Sequence, residues 1–130
     1  MMPSRRSRRR SARGPRETVA RAFRDAYRAD DPVALARLLG PDVCVVVDTG
    51  GVAGAAHGPA CGTTAALTLL RVVLGSPATL RLQLRSVNGR PGLLAQRDER
   101  LVAVIVVDGR AAAIDHVWVV TNPEKLATWS

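Results

Sequence analysis

The chain has 130 residues, enough for one domain and too few for two. Apolar residues make up 47% of it but aromatic residues only 3%, so any core must be built from valine, leucine and alanine. The formal charge of +8 is unevenly placed: residues 1–16 hold seven arginines and no acid, leaving twelve basic against eleven acidic groups elsewhere, which argues against a nucleic-acid-binding surface on that near-neutral remainder.

Residues 1–15 are arginine, serine, glycine and proline with almost nothing apolar. Such a stretch cannot offset its ordering entropy, so a disordered tail over 1–15 is expected before a single domain over 16–130. Arg5, Arg6, Arg8, Arg9 and Arg10 could grip nucleic acid or another polyanion through phosphates, without sequence preference. The alternatives are an inert solvated extension and sequence upstream of a later true start. The Arg-Arg pairs resemble a twin-arginine signal, but Glu17 to Asp31 after them is amphipathic and charged. No run of about 18 apolar residues exists, so no membrane partner is expected and the chain reads as cytoplasmic.

Val19, Ala22, Phe23, Ala26 and Tyr27 recur at helical spacing and predict a first amphipathic helix from Glu17. Asp31 and Pro32 open a second, with Leu35, Leu38 and Leu39 as its buried stripe and Gly40-Pro41 as its stop. Val43 to Val47 is a β-branched strand. A glycine-rich segment from Gly50 to Gly62 follows. Thr63 or Thr64 then caps a third helix, with Leu67, Leu70, Val73 and Leu74 inward and Gly75 at its end. Only strands come after it. Leu80, Leu82 and Leu84 alternate with Arg81, Gln83 and Arg85, as in a strand with one wet face. Asn88-Gly89 signals a hairpin, then come strands at Leu93–Arg97 and Leu101–Val107, a turn at Asp108-Gly109 and a strand over Ala111–Thr121. Asn122-Pro123-Glu124 opens a last short helix. Helices first and a bent antiparallel sheet after them define an α+β fold.

Leu101–Val107 and most of Ala111–Val120 are apolar on both parities. Helices can cover only one face of a sheet, so the outer face of these last two strands calls for a second copy of the chain or another protein, unless a loop folds back over it.

Three stretches together resemble one known family: Val47-Asp48-Thr49-Gly50-Gly51, Val87-Asn88-Gly89-Arg90-Pro91-Gly92, and Ile114-Asp115 leading to Asn122-Pro123-Glu124-Lys125-Leu126. They look like the SnoaL-like domain, within the nuclear-transport-factor-2-like cone fold, found at the C-terminus of SigJ-like extracytoplasmic-function sigma factors. The resemblance runs from about residue 16 to the end. That group usually has a lysine after the first-strand glycines, whereas Val52 stands here, and the residues before the domain are the arginine-rich stretch rather than sigma regions, so an accessory domain standing alone is expected. The resemblance implies a hollow between helices and sheet that takes a small apolar ligand, and in the sigma factors a regulatory role for the first-strand loop.

Tyr27, Asp48, Asn88, Asp115 and Trp118 are the candidate pocket residues. Asp48, Asp115 and His116 are the candidate acid–base groups. Asp48 also reads as a turn residue accepting backbone N–H bonds, and Asp115 and His116 as satisfied polar residues of a core or interface. In a regular strand Asp115 and His116 point to opposite faces, so they cannot form a dyad. His57 and Cys61 are two potential ligands where zinc needs three or four, so no metal is expected. Two cysteines make no disulfide framework, and Cys44 reads as a small core residue. No phosphate loop, nucleophile elbow or dinucleotide fingerprint is present, and no cofactor is expected. The reading therefore leans toward a non-catalytic module that binds a small ligand or a protein. Its rivals are a small isomerase, cyclase or epoxide hydrolase for a polyketide- or steroid-like substrate, and an inactive sigma-factor remnant.

Overall fold

The computed structural model describes residues 5–49, 58–110 and 113–128. In chain order the elements are α1 (Arg5–Arg28), α2 (Pro32–Leu38), β1 (Leu39–Asp48), β2 (Ala60–Cys61), α3 (Thr63–Leu74), β3 (Arg81–Val87), β4 (Arg90–Arg97), β5 (Arg100–Arg110), β6 (Ala113–Val120) and α4 (Pro123–Leu126). The strands form one curved sheet in the order β2-β1-β6-β5-β4-β3. Strands β3 to β6 are an antiparallel meander, but β1 runs parallel to β6, so the sheet is mixed rather than wholly antiparallel.

Helix α1 buries Val19, Phe23, Ala26 and Tyr27 of the stripe its periodicity predicts; Ala20 is buried with them, and Ala22, expected inward, lies half-buried. It begins at Arg5, so residues 5–15, expected to be a disordered tail, lie within it. Arginine, serine and alanine are compatible with helix, and residues joining an existing helix need no new nucleus; Gly14 and Pro15 are the unfavourable positions of this extension, and Pro15 has no N–H to give it. Asp31 caps α2 by accepting a hydrogen bond from Ala34 N at 3.0 Å, with Pro32 in the first turn. Leu39 belongs to β1, not to the stripe of α2, and Gly40-Pro41 lie inside that strand. The register against β6 jumps between Leu39 and Cys44, an irregularity that accommodates a proline without its N–H. Strand β2, inside the glycine-rich segment, has no sequence signal of its own.

The N-cap of α3 is Gly62, with φ at 94° and no side-chain bond. Thr63 Oγ1 instead donates toward Leu39 O and Gly40 O, both at 3.3 Å, tying the helix to β1. The buried face is Ala66, Leu69, Leu70 and Leu74; Leu67 and Val73, expected inward, lie half-buried at its margins. The three helices cover the concave side of the sheet, where Phe23, Val45, Leu70, Leu93, Ile105 and Val117 fill the interior.

One node holds this helical layer to the sheet. Tyr27 Oη donates to Gly75 O at 2.6 Å, joining the end of α1 to the end of α3. Arg97 on β4 reaches the same place: its Nη2 donates to Leu74 O at 2.8 Å and Ser76 O at 2.9 Å. A guanidinium at a helix C-terminus satisfies orphan carbonyls and meets the negative end of the helix dipole. Gly75 has φ at 76°, and a Cβ there would lie 3.2 Å from Arg97 Nη2, so the node needs glycine.

Strand β6 departs from simple alternation. Asp108 pairs with His116 and Gly109 with Ile114, so Asp115 is the extra residue of a β-bulge. Ile114 therefore shares the concave face with Val117 and Val119, although it stands three positions from Val117, an odd spacing that strict alternation would put on opposite faces. Asp108-Gly109, expected to be a turn, sits inside β5, where a Cβ on Gly109 would lie 1.9 Å from Ala113 O.

Burial raises the pKa of the Tyr27 phenol above its ordinary 10.0, opposed in part by the nearby Arg71 and Arg97 guanidiniums. The folded state thus holds this proton more tightly than the unfolded chain. Its contribution is complete below pH 10 and falls as pH rises through the folded-state pKa. Tyr27→Phe should cost about 1 kcal/mol at neutral pH through the lost hydrogen bond, and urea unfolding between pH 9 and 11 should show the wild type losing more stability than the variant.

Candidate functional site

The outer face of the sheet carries a second, smaller core. Val87, Leu94, Val104 and Leu126 are buried there, with Leu101, Val106 and Val120 packed against them. Helix α4 is the lid of this cluster. Asn122 accepts from Glu124 N at 3.1 Å to cap it, Pro123 stands in its first turn, and Leu126 points inward. The C-terminal segment thus covers part of the outer face from within the chain.

Beyond α4 the strand registers place side chains in rows. Gly92, Val106, Trp118 and Val46 form one row across β4, β5, β6 and β1. Asp108, His116, Cys44 and Cys61 form the next, across β5, β6, β1 and β2. Trp118 and His116, two apart on β6, stack with centroids 5.3 Å apart and planes 11° apart. The Arg90 guanidinium lies 5.9 Å from the Trp118 ring centroid, a cation–π distance, and 3.7 Å from Asp108 Oδ2. Val46 is 37% exposed, Trp118 and Val106 half-buried, and His116 and Arg90 exposed. The result is an apolar row with an aromatic centre, rimmed by one cation, one imidazole and one carboxylate.

Cys44 and Cys61 form a disulfide on this face, joining directly opposed residues of β1 and β2. This corrects the reading of Cys44 as a small core residue. The signal was out of reach of sequence because β2, two residues long, had to be placed first. At the other end of β1, Asp48 accepts from Lys125 Nζ at 2.5 Å, and its carbonyl accepts from Thr121 N and Asn122 N. Both side chains are substantially exposed, so this ion pair orders α4 more than it stabilises the fold.

The sheet separates the residues expected to line one pocket. Tyr27 is in the concave core. Asp48, His116 and Trp118 are on the outer face. Asn88, with φ at 50°, and Gly89, with φ at 79°, form the exposed β3–β4 turn. Asp115 is at the bulge, where its Oδ1 is buried without a hydrogen-bond partner. His57 and the side chains of Arg5, Arg6, Arg8, Arg9 and Arg10 lie outside the described residues. The three stretches that carry the family resemblance do converge, around the outer core. Asp48 pairs with Lys125, Leu126 packs in the cluster with Val87, and Arg90 lies over Trp118. Gly92 leaves room for Val87, whose Cγ2 would lie 2.7 Å from a Cβ at that position.

Three helices on the concave side of a curved six-stranded sheet, in this order of elements, are the SnoaL-like, nuclear-transport-factor-2-like fold. Among solved structures, the extracytoplasmic-function sigma factor SigJ of Mycobacterium tuberculosis is similar at TM-score 0.66 and 22% identity, over 93% of this chain and 47% of that one, in its C-terminal domain. The chain thus spans about half the length of that sigma factor. A nuclear-transport-factor-2-like protein of Burkholderia pseudomallei is similar at TM-score 0.58 and 17% identity, over 85% of this chain and 93% of that one. An epoxide hydrolase of M. tuberculosis is similar at TM-score 0.55 and 13% identity, covering 90% of each chain. No family model and no curated protein matches the sequence.

The disulfide closes a loop across 17 positions. Its reduction by dithiothreitol should lower the unfolding free energy by about 3 kcal/mol in the chain-entropy account. A Cys44→Ser/Cys61→Ser variant should give the same urea midpoint with and without reductant.

Proposed function

We propose that this chain is a non-catalytic SnoaL-like module that docks a protein, a second copy of itself in the first instance, through the outer face of its last strands. The observation that carries the reading is the row Val106–Trp118–Val46. It stays apolar and partly exposed beside the cluster that α4 covers, with only Val106 packed against that cluster and the charges at the rim. Interfaces favour this arrangement, an aromatic anchor within a polar border. Arg90 and Asp108 in one patch also suit two-fold self-pairing, in which each copy offers both signs. The likeness to a domain of SigJ supports a regulatory role linked to transcription. No helix among the described residues is long and apolar enough to cross a membrane. In the cytoplasm, the location read from the sequence, the Cys44–Cys61 pair would face reducing conditions, so its oxidation state in cells also reports the compartment.

Sedimentation velocity at micromolar concentration should show a dimer. Trp118→Glu and Val46→Asp should each shift it to monomer with the circular dichroism spectrum unchanged. A wild-type monomer throughout that range would overturn self-docking.

A second reading, a small enzyme of the isomerase, cyclase or epoxide-hydrolase type, is favoured by the orphaned Asp115 Oδ1. Buried polar atoms left unsatisfied occur where function requires them, and a carboxylate is a fit proton-transfer group. If a panel of cyclic epoxides and enolisable ketones reveals turnover, Asp115→Asn should abolish it while leaving the fold intact. Turnover unchanged in that variant would remove Asp115 from the chemistry.

A further inference from the structure

A sheet of this order has two edges, β2 and β3. The β2 edge is two residues long and is stapled to β1 by the disulfide. The β3 edge is seven residues long and, among the described residues, pairs with β4 alone. An open edge of that length presents unpaired backbone donors and acceptors.

A groove of about 700 Å³ runs between this edge and the second half of α1. Its floor includes Leu82 and Leu84. Among the described residues its charge is entirely positive: Arg24 and Arg28 come from α1, four residues apart and hence on one helix face, and Arg81 comes from β3. No acidic residue lines it among the described residues. Arg24 gives its Nε to Asp25 Oδ1 at 3.0 Å. Arg28 and Arg81 are exposed and make no hydrogen bond or ion pair among the described residues. By strand alternation Arg85 stands on the same side as Arg81, so a chain laid along β3 would meet guanidiniums on both of its faces.

The arginines exclude one occupant and select another. A second copy paired edge to edge would set β3 against β3, bringing arginine near arginine, which is unfavourable. Single-stranded nucleic acid would find charge but, among the described residues, no aromatic side chain in the groove for its bases. An extended acidic peptide satisfies both features. Its backbone extends the sheet, and its carboxylates accept charge-assisted hydrogen bonds from the guanidiniums.

We infer that the groove between α1 and the β3 edge binds an extended acidic peptide segment by strand addition, with Arg28 and Arg81 as its charge readers. The docking face of the preceding section is a different surface, so either assignment can fail alone.

The test uses the full chain and a fluorescein-labelled, N-acetylated peptide of eight residues alternating glutamate and valine, followed by anisotropy at low salt. The labelled peptide should bind, and Arg28→Glu and Arg81→Glu should each weaken binding by roughly tenfold, as loss of a charge-assisted hydrogen bond predicts. The same peptide N-methylated at alternate amides keeps its charge but loses its edge donors, and should bind at least as poorly. Amide exchange over Arg81–Val87 should slow only with the unmethylated peptide. Absence of binding would overturn the inference. So would undiminished binding by the two arginine variants, which would place the contact on the arginine-rich start of α1. Equal affinity for the methylated peptide would rule out strand addition. An oligothymidylate of equal charge that binds as tightly and is lost in the same variants would reassign the groove to nucleic acid.

Discussion

Strands β5 and β6 carry apolar side chains on both faces, and a sheet with two apolar faces must be covered twice. The concave cover is the layer of α1, α2 and α3 over Leu93, Ile105 and Val117. The outer cover is smaller: α4 folds back on Leu94 and Val104, and Leu126 closes the cluster. Since α4 is only four residues long, it shields one row of the outer face and leaves the neighbouring row, centred on Trp118, partly open. The organisation of the second core and the exposure of the docking row both follow from that shortfall in cover.

The placement of the helical layer depends on fewer contacts. The end of α3 receives Tyr27 from α1 and Arg97 from β4, and Asp30 in the turn before α2 pairs with Arg71 of α3 at 2.6 Å. The exposed ion pair contributes little by itself. The half-buried contacts at Gly75 contribute more, because they satisfy carbonyls that the helix leaves unpaired. They also fix the C-terminal half of α1 relative to β4 and, through it, to the β3 edge.

The two edges are handled in different ways. At β2 the backbone is covalently held to its neighbour, and at β3 the edge is guarded by arginine. Charge on an edge suppresses pairing with identical edges while leaving a complementary strand free to join. A guarded edge and an acceptor edge are then the same object, distinguished only by the charge of what approaches.

Much of the fold was legible in the sequence because its determinants are local. The stripe Val19–Phe23–Tyr27, the Asp31-Pro32 cap, the Asn88-Gly89 turn and the alternation of β3 each follow from the geometry of their own segment. The double-faced pattern of β5 and β6 announced two covers. What depended on the partner of a strand was not legible. The parallel pairing of β1 with β6 joins segments some seventy residues apart. Only that pairing, with the two-residue β2 beyond it, brings Cys44 to Cys61. The bulge at Asp115 reverses the parity from which the side-chain directions were inferred, and it exists because Gly109 allows the close approach of Ala113 O. The candidate residues were therefore identified by chemistry, but the face each occupies was decided by register. Register is a property of two strands together, and no single segment contains it.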